Sequence, residues 1–191
     1  CSFSIYLGNV PILVANNKLQ LNMYSVQIPL DNSPKYLGVI LDRKLSFNRH
    51  TEAIRHKCFK LLNILKCLAY KSWTLNLNQQ LTIYKCLIRS SMEYAAPLII
   101  LSKHNIKLLQ GIQYQALRII YKAPLMASSK DLHRIANLET VDLRLYNLSR
   151  NYVTRATTSG NPLFSKLFES IATPSGPLLT IQRFTNSLQK S

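Results

Sequence analysis

Short apolar runs separated by turn residues make up the first quarter of the chain. Four of these runs are alternating or β-branched, a pattern typical of β-strands: FSIY, PILV, KLQLN and VQIPL. The Asn16–Asn17 pair predicts a hairpin turn between two of them, because asparagine tolerates positive φ. A fifth run, YLGVILD from Tyr36 to Asp42, is predicted to be the last strand. We therefore predict that residues 1–48 are rich in β-strands.

Gly38 interrupts this last run at a place where side chains are expected to pack. Glycine inside a strand weakens it by about 0.5–1 kcal/mol, because glycine loses more conformational entropy on folding than other residues do. Such a glycine usually marks a bulge or the close approach of another backbone. Both interpretations stay open: a bulge that serves only sheet packing, or a position kept free of a side chain for a neighbouring backbone.

From Asn48 the spacing of apolar residues changes to three and four, which places them on one face of a helix. The first predicted helix carries this stripe at Ile54, Cys58, Leu61, Leu65 and Leu68. A second helix is predicted to have Asn78 as its N-cap and to end before Pro97. A third is predicted to open near Ser102 and to stop at Pro124. These three helices should pack as a small bundle, because none can bury its apolar stripe alone.

Two more helices are predicted beyond the bundle. A short one, capped by Ser128 or Ser129, runs to Ala136, and a longer one covers Val141 to Thr157. The predicted fold class is therefore α+β and mostly α, with a short strand-rich segment followed by a helical bundle.

The charge balance is strongly basic. The chain has 24 Lys and Arg against 8 Asp and Glu, which gives a net charge of +16. Such a field favours an anionic partner, nucleic acid first and an acidic membrane surface second. A merely basic protein without such a partner is the alternative that composition alone leaves open.

The cysteines and the ends of the chain give expectations about its surroundings. The four cysteines have no CxxC spacing, so neither a disulfide framework nor a metal site is expected. No apolar run approaches the ~18 residues of a membrane span, and no signal-peptide pattern follows Cys1. Because the first residue is not methionine, we expect the sequence to begin inside a longer chain.

Candidate catalytic groups are scarce. The carboxylates form no DD, DxD or ExxH pair, so a centre that uses two metal ions lacks its ligands. Asp42 is interpreted as a strand-end or turn residue, and the four histidines as surface or packing residues. Glycine-rich phosphate loops are absent as well. We expect no catalytic residue, no metal site and no cofactor in this chain.

The basic helices are the remaining candidates for a binding surface. Between Arg43 and Lys71 only Glu52 opposes the Lys and Arg residues, and Lys85 and Arg89 lie one turn apart on the second helix. Like charges at this spacing repel by a few tenths of a kcal/mol, which a bound anion would relieve. A basic helix face is otherwise often only solvated. The candidate nucleic-acid-binding residues are Arg55, Lys57, Lys60, Lys66, Lys85 and Arg89.

Four motifs in this order resemble the reverse transcriptases of non-LTR (LINE-like, Jockey-type) retrotransposons. They are K-YLGV-LD--L-F---H from Lys35 to His50, the basic helix ending in Leu68-Ala69, the IYKCLIRSSMEYAAP run from Ile83 to Pro97, and LL--IQ--ALRII from Leu108 to Ile120. The resemblance covers most of the chain and is strongest from Lys35 to Pro124. Glu139 to Leu145 is similar to a further element of the family.

The resemblance implies a domain organisation. In that family the YLG segment follows the palm and acts as the primer grip, and the helices after it form the thumb. It would make residues 1–48 the end of the palm, 49–125 a thumb-like three-helix bundle and 126–191 a mainly helical C-terminal connector. Tyr36, Leu37 and Gly38 would then occupy the primer-grip position, where a missing Cβ lets a nucleic-acid backbone or a palm strand approach.

The implied function is that of a polymerase fragment that holds the template–primer without catalytic aspartates of its own. The family's catalytic YADD-type strand would lie before Cys1. The parent RNA-directed DNA polymerase would need Mg²⁺, whereas this chain alone is expected to be inactive. Its expected partners are RNA and DNA and the upstream palm and fingers, with no membrane, inside the cell in nucleus and cytoplasm. The alternative is a free-standing basic helical module that binds nucleic acid or an anionic membrane.

Overall fold

The computed structural model describes residues 22–27, 31–70 and 75–159 of the chain. The predicted strands FSIY and PILV, most of KLQLN and the Asn16–Asn17 turn lie outside these residues. The described strands are β1 (Asn22–Met23), β2 (Val26–Gln27), β3 (Lys35–Tyr36) and β4 (Val39–Ile40). The described helices are α1 (Asn48–Tyr70), α2 (Leu77–Ile83), a π-helical turn (Tyr84–Arg89), α3 (Ser90–Glu93), a 3-10 turn (Ala96–Leu98), α4 (Lys103–Ile120), α5 (Ser129–Ala136) and α6 (Val141–Thr158).

The predicted last strand, Tyr36 to Asp42, is instead an antiparallel hairpin, and that prediction is wrong. Tyr36 pairs with Val39, so only Leu37 and Gly38 connect β3 to β4. Both connecting residues have positive φ, 45° at Leu37 and 84° at Gly38. Two positive φ values in a two-residue loop are the signature of the type I′ turn, whose twist matches that of the flanking strands. β1 and β2 form a second antiparallel hairpin.

Asp42 organises the loop between β4 and α1, as its interpretation as a turn residue predicted. Its carboxylate accepts backbone hydrogen bonds from Lys44 at 3.1 Å, from Ser46 at 3.0 Å and from Phe47 at 2.7 Å. The Ser46 hydroxyl donates a further bond to it. Partial burial by itself would raise the pKa of Asp42, but these hydrogen bonds outweigh burial and hold the pKa below its ordinary value. The ionised side chain therefore fixes where α1 begins.

α1 and α4 supply most of the apolar core. The helical spacing from Asn48 onward is confirmed, and α1 buries Cys58, Leu62 and Leu65. On α4, Leu109, Ile112, Ala116, Leu117 and Ile120 are buried against them. The third predicted helix is also confirmed, since the Ser102 side chain accepts the Asn105 N–H at its start. The bundle forms because each helix covers the apolar stripe of another.

The second helix differs from its prediction at its start and in its middle. The N-cap is Asn76 rather than Asn78, because Asn76 and Gln79 exchange side-chain-to-backbone hydrogen bonds as a capping box. The π-helical turn Tyr84–Arg89 then joins α2 to α3. It places Tyr84 fully inside the core, where its hydroxyl donates to Gln113 Oε1 at 2.9 Å.

α5 and α6 begin and end close to where they were predicted. α5 follows Ser128 and stops at Asn137, which adopts a left-handed conformation. α6 begins after Thr140 and packs on the 3-10 turn, where the Ser149 hydroxyl donates to the Ala96 carbonyl at 3.1 Å. The described chain is mostly helical with a few short antiparallel strands, consistent with the predicted class. The division into 1–48, 49–125 and 126–191 stays a prediction.

Candidate nucleic-acid interface

A groove of about 600 Å³ lies between the β3–β4 hairpin, α1 and residues 90–94, which are α3 and the tyrosine after it. We call it the cationic groove. Its lining comprises Lys35, Gly38, Ile40, His50, Ala53, Ile54, Lys57, Ser90, Ser91 and Tyr94. The hairpin, the first three turns of α1 and the residues after the π turn each contribute to it, so residues 35–57 meet residues 90–94 there.

The polar groups of the cationic groove suit an anionic backbone. Lys35 and Lys57 are both exposed, and no carboxylate is among the described residues that line the groove. The hydroxyls of Ser90 and Ser91 donate to the carbonyls of Cys86 and Leu87, so their oxygens keep lone pairs as acceptors. Lysine and hydroxyl groups are among the side chains that commonly contact phosphate and sugar.

Tyr94 holds the hairpin from the side of α3. Its hydroxyl donates to the Leu37 carbonyl at 2.6 Å. Its ring lies 3.2 Å from the position that a Cβ on Gly38 would occupy. A side chain on Gly38 would therefore be strained by its φ of 84° and crowded by this ring. Within the described residues, the neighbour that approaches Gly38 is an aromatic ring rather than a second backbone.

His50 holds the same hairpin from the side of α1. It is 4% exposed, and its Nδ1 accepts the Ile40 N–H at 3.4 Å. Burial, with a smaller contribution from the charge of Lys35, lowers the pKa of His50 below its ordinary value. The imidazole is thus neutral at pH 7, and because Nδ1 accepts a hydrogen bond its proton lies on Nε2.

The structure brings together only part of the predicted site. Gly38 and Lys57 line the cationic groove, whereas Lys60, Lys66 and Lys85 are exposed outside its lining. Arg55 is half-buried: it pairs with Glu52 at 3.1 Å and stacks over the Phe59 ring at 5.3 Å. Its guanidinium is therefore partly committed within the protein.

Arg89 does not lie on an open basic face, and that inference from sequence is wrong. It is 9% exposed, and its Nε donates to Glu93 at 2.8 Å. Glu93 also accepts a hydrogen bond from Arg144 at 2.9 Å, which raises the pKa of Arg144. The repulsion inferred between Lys85 and Arg89 is absent because the charge of Arg89 is neutralised inside the protein.

The hairpin presents a different surface on its other side. We call it the apolar face; it borders a second groove of about 330 Å³ and comprises Tyr36, Leu37, Val39, Leu41, Phe47, Tyr94, Ala95, Leu98 and Ile99. Tyr36, Leu37 and Leu98 are 67%, 73% and 67% exposed. No charged residue belongs to this lining in the part of the chain that the structure describes. Tyr94 lines both grooves and separates them.

Sequence reasoning missed five polar residues of the site: Lys35, His50, Ser90, Ser91 and Tyr94. Each belongs to a motif quoted above, Lys35 and His50 at the two ends of K-YLGV-LD--L-F---H and the other three in the SSMEY run. The motifs alone do not tell which of their residues meet. Lys35 and Tyr36 are neighbours in one strand and therefore point to opposite sides of the hairpin. This alternation separates the cationic groove from the apolar face.

Metal binding and membrane spanning have no candidates in the described residues. No group of three or more His, Cys, Asp or Glu side chains in residues 22–27, 31–70 and 75–159 could hold a metal ion. Asp42 does not fit a magnesium ligand either, because its oxygens already accept four hydrogen bonds. None of the described helices is long and apolar enough to cross a membrane.

Comparison with known proteins identifies relatives of the chain. No family model and no solved structure matches it. It is 33% identical over 147 residues, 76% of its length, to a probable RNA-directed DNA polymerase from transposon X-element of Drosophila melanogaster. A probable polymerase from transposon BS of the same species is 26% identical over 85% of the chain. The RNA-directed DNA polymerase from mobile element jockey of Drosophila funebris is 25% identical over 78%.

The chain is homologous to the RNA-directed DNA polymerases of non-LTR retrotransposons. The resemblance stated from the four motifs is thereby confirmed. The chain spans 16% of the X-element polymerase, 18% of the BS polymerase and 16% of the jockey polymerase. The match thus covers about one sixth of each of these polymerases.

Proposed function

We propose that this segment holds the template–primer of a retrotransposon RNA-directed DNA polymerase and does no chemistry itself. The observation that carries the proposal is the cationic groove, in which two exposed lysines and three hydroxyls border a space without carboxylates. The basic charge of +16 would add non-specific attraction to nucleic acid. The homology with RNA-directed DNA polymerases, whose name specifies an RNA template and a DNA product, supports RNA and DNA as ligands.

Individual residues have distinct roles in this proposal. Lys35 and Lys57 contact phosphates in the cationic groove, and Lys60, Lys66 and Lys85 attract the nucleic acid from the surface outside it. The hairpin of Tyr36, Leu37 and Gly38 is the primer-grip-like element, held in place by Tyr94 and His50. Arg55 contributes less than the lysines because Glu52 neutralises part of its charge. Arg89 is a structural residue.

The apolar face is proposed to contact the upstream palm and fingers of the parent polymerase. It is concave and free of charged residues within the described chain, and three of its large apolar side chains are more than 60% exposed. Exposed apolar patches rimmed by polar residues commonly mark protein–protein contacts. More than four fifths of each relative's length lies outside the match, so the parent would supply ample surface for this contact.

Catalysis is assigned to the parent, whose aspartates and Mg²⁺ would lie outside this segment. We expect the 191-residue chain alone to extend no primer with Mg²⁺ or Mn²⁺. Template-dependent extension that Asp42→Ala abolishes would contradict this assignment. We also propose an intracellular location, in nucleus and cytoplasm, which the free and exposed thiols of Cys67 and Cys86 support.

Binding of the chain to an RNA–DNA hybrid as a function of salt tests the proposal. If about five phosphates are contacted, log K against log salt should have a slope of roughly −3.5 to −4.5. Replacing Lys35 and Lys57 with alanine should weaken binding and reduce the slope by about 1 per lysine. The matched control replaces Lys103 and Lys107, two exposed lysines on α4 outside the groove, and should change binding less.

Two outcomes would overturn the proposal. Binding that is insensitive to salt would remove the phosphate contacts on which it depends. Strong binding to anionic vesicles, with none to the hybrid, would favour the alternative of a free-standing membrane-surface module.

A further inference from the structure

The loop between α4 and α5 contains a tight turn at Pro124–Ala127, which is held by three hydrogen bonds. The Ala127 N–H donates to the Pro124 carbonyl at 3.1 Å and closes the turn. The Tyr114 hydroxyl donates to the Ala127 carbonyl at 2.6 Å. Just before the turn, the Ala123 N–H donates to the Arg118 carbonyl at 3.0 Å. The turn is therefore tied to α4 at both of its ends.

This turn presents two large apolar side chains to water. Leu125 is 79% exposed and Met126 is 96% exposed. A single exposed apolar residue needs no explanation, because much of any protein surface is apolar. Two adjacent ones at the tip of a fixed turn are different, since neither side chain has a neighbour that removes it from water. The turn holds them in position without burying them.

Cationic groups flank the two side chains. Lys122 and Lys130, on either side of the turn, are both exposed. Arg118, whose carbonyl ties down the start of the turn, has its guanidinium over the Tyr114 ring at 5.7 Å. The positive end of the α5 dipole follows the turn directly. The nearby carboxylate of Asp131 is paired with Arg134 at 3.2 Å, so the surroundings of the tip are net positive.

The shape of the tip indicates what it can contact. An ordinary protein–protein interface uses about 20–30 residues on each side, many more than two side chains provide. Proteins that bend nucleic-acid duplexes insert one or two apolar residues such as leucine or methionine between base steps, with cations on the adjacent phosphates. A convex apolar tip between lysines matches the second pattern, whereas the concave apolar face of the hairpin matches the first.

We propose that Leu125 and Met126 form a wedge that inserts into the minor groove of a bound RNA–DNA hybrid and partly unstacks a base step. A-form-like hybrids suit this contact because their minor groove is wide and shallow. Lys122 and Lys130 hold the phosphates on either side of the wedge. The inference rests on the proposed function, because it requires that the chain bind such a hybrid.

The wedge is a contact separate from the cationic groove. α4 begins beside the start of α1, where Asn105 Nδ2 donates to Asn48 Oδ1 at 2.9 Å. Its 18 residues carry the chain about 27 Å away before the turn is reached. This distance corresponds to roughly eight base pairs at the B-DNA rise of about 3.4 Å, and to more in the shorter-rising A-form hybrid.

The test uses the full chain and an RNA–DNA hybrid of at least 12 base pairs, with 2-aminopurine at successive DNA positions. Binding of the natural chain should raise the fluorescence of one position through unstacking. Replacing Leu125 and Met126 with alanine should abolish this rise and weaken binding by about tenfold, because two buried apolar side chains are truncated. The salt slope should not change, since no charge is lost. The matched control is Leu143→Ala, a half-exposed leucine on α6.

The outcomes separate the wedge from the proposed function. If the double variant binds the hybrid as tightly as the natural chain and gives the same fluorescence, the wedge is overturned while the groove stands. If the natural chain does not bind the hybrid at all, both fail. If the double variant keeps its hybrid affinity but loses binding to anionic vesicles, the tip contacts a membrane surface and the wedge is again overturned. Circular dichroism of the double variant checks that it is folded.

Discussion

The hydroxyl of Tyr94 donates a 2.6 Å hydrogen bond to the carbonyl of Leu37, across 57 residues of chain. This bond joins the tip of the β3–β4 hairpin to the helix that packs on α1. The same ring lies over Gly38. One side chain thus sets the position of the hairpin, separates the cationic groove from the apolar face, and requires glycine at the turn.

Replacing Gly38 with valine should destabilise the hairpin and weaken hybrid binding. The backbone there has a φ of 84°, and the new Cβ would lie 3.2 Å from the Tyr94 ring. We expect a loss of about 1–3 kcal/mol in the free energy of unfolding, measured by chemical denaturation. Helix content should be nearly unchanged, because the hairpin lies outside the helical core.

Gly111→Ala is the matched control for this change. Gly111 lies within α4, and a Cβ placed on it meets nothing within 4 Å. Alanine there should stabilise the chain by about 0.5–1 kcal/mol without altering hybrid binding. If Gly38→Val lowers affinity only in proportion to the unfolded fraction, the glycine serves packing alone.

Tyr94→Phe and Tyr84→Phe make the same chemical change at two sites and should have different effects. At Tyr94 the ring stays over Gly38 and only the bond to the Leu37 carbonyl is lost, so hybrid affinity should fall with a small loss of stability, of about 1 kcal/mol or less. At Tyr84 the change leaves the buried Oε1 of Gln113 without its donor, at a cost of about 1–3 kcal/mol, while Gln113 Nε2 keeps its bond to the Glu139 carbonyl. Affinity should then fall only as far as the protein unfolds. If both variants lose the same hybrid affinity for a given loss of folding stability, Tyr94 has no positioning role.

Asp42 should make the stability of the chain depend on pH. Because its pKa is lower in the folded chain than the ordinary value near 3.8, the ionised form stabilises folding. This contribution is fully present above the unfolded pKa and is lost as the pH falls through the folded pKa. Asp42→Asn should therefore cost about 1 kcal/mol near pH 7, because hydrogen bonds to a charged acceptor are stronger than those to a neutral amide. The difference in the free energy of unfolding between the natural chain and this variant should shrink below about pH 4. If that difference stays constant down to about pH 2, the ionised carboxylate is not its cause.

Arg89→Glu and Lys85→Glu should separate a buried charge from a surface charge four residues away. Arg89 is 9% exposed and paired with Glu93, so the change places two carboxylates together and should destabilise folding by about 3–5 kcal/mol. Lys85 is exposed, and its replacement should change stability by about 0.5 kcal/mol or less while reducing the salt slope of hybrid binding. Similar melting temperatures for the two variants would show that Arg89 is not the buried partner of Glu93.

The helices were predictable because their evidence is local. The apolar spacing from Asn48, the cap at Ser102 and the limits of α6 act within a few residues of each other. The Asn76–Gln79 capping box is also readable in the sequence as N-x-x-Q, two residues before the predicted cap at Asn78. The hairpin was missed because the run YLGVILD has the apolar continuity of one strand, and only the positive φ values at Leu37 and Gly38 reverse it.

The amino-acid sequence by itself determined the helical periods, the basic charge and the similarity to retrotransposon polymerases, since each is encoded in neighbouring residues or in short motifs. Tertiary structure alone decided which of the basic residues stay available to a ligand. Arg89 is neutralised by Glu93 and Arg144, while Lys35 and Lys57 are brought to one groove by the hairpin and α1. A charge is available only if packing leaves it in water, and packing depends on contacts between segments that sequence spacing does not specify.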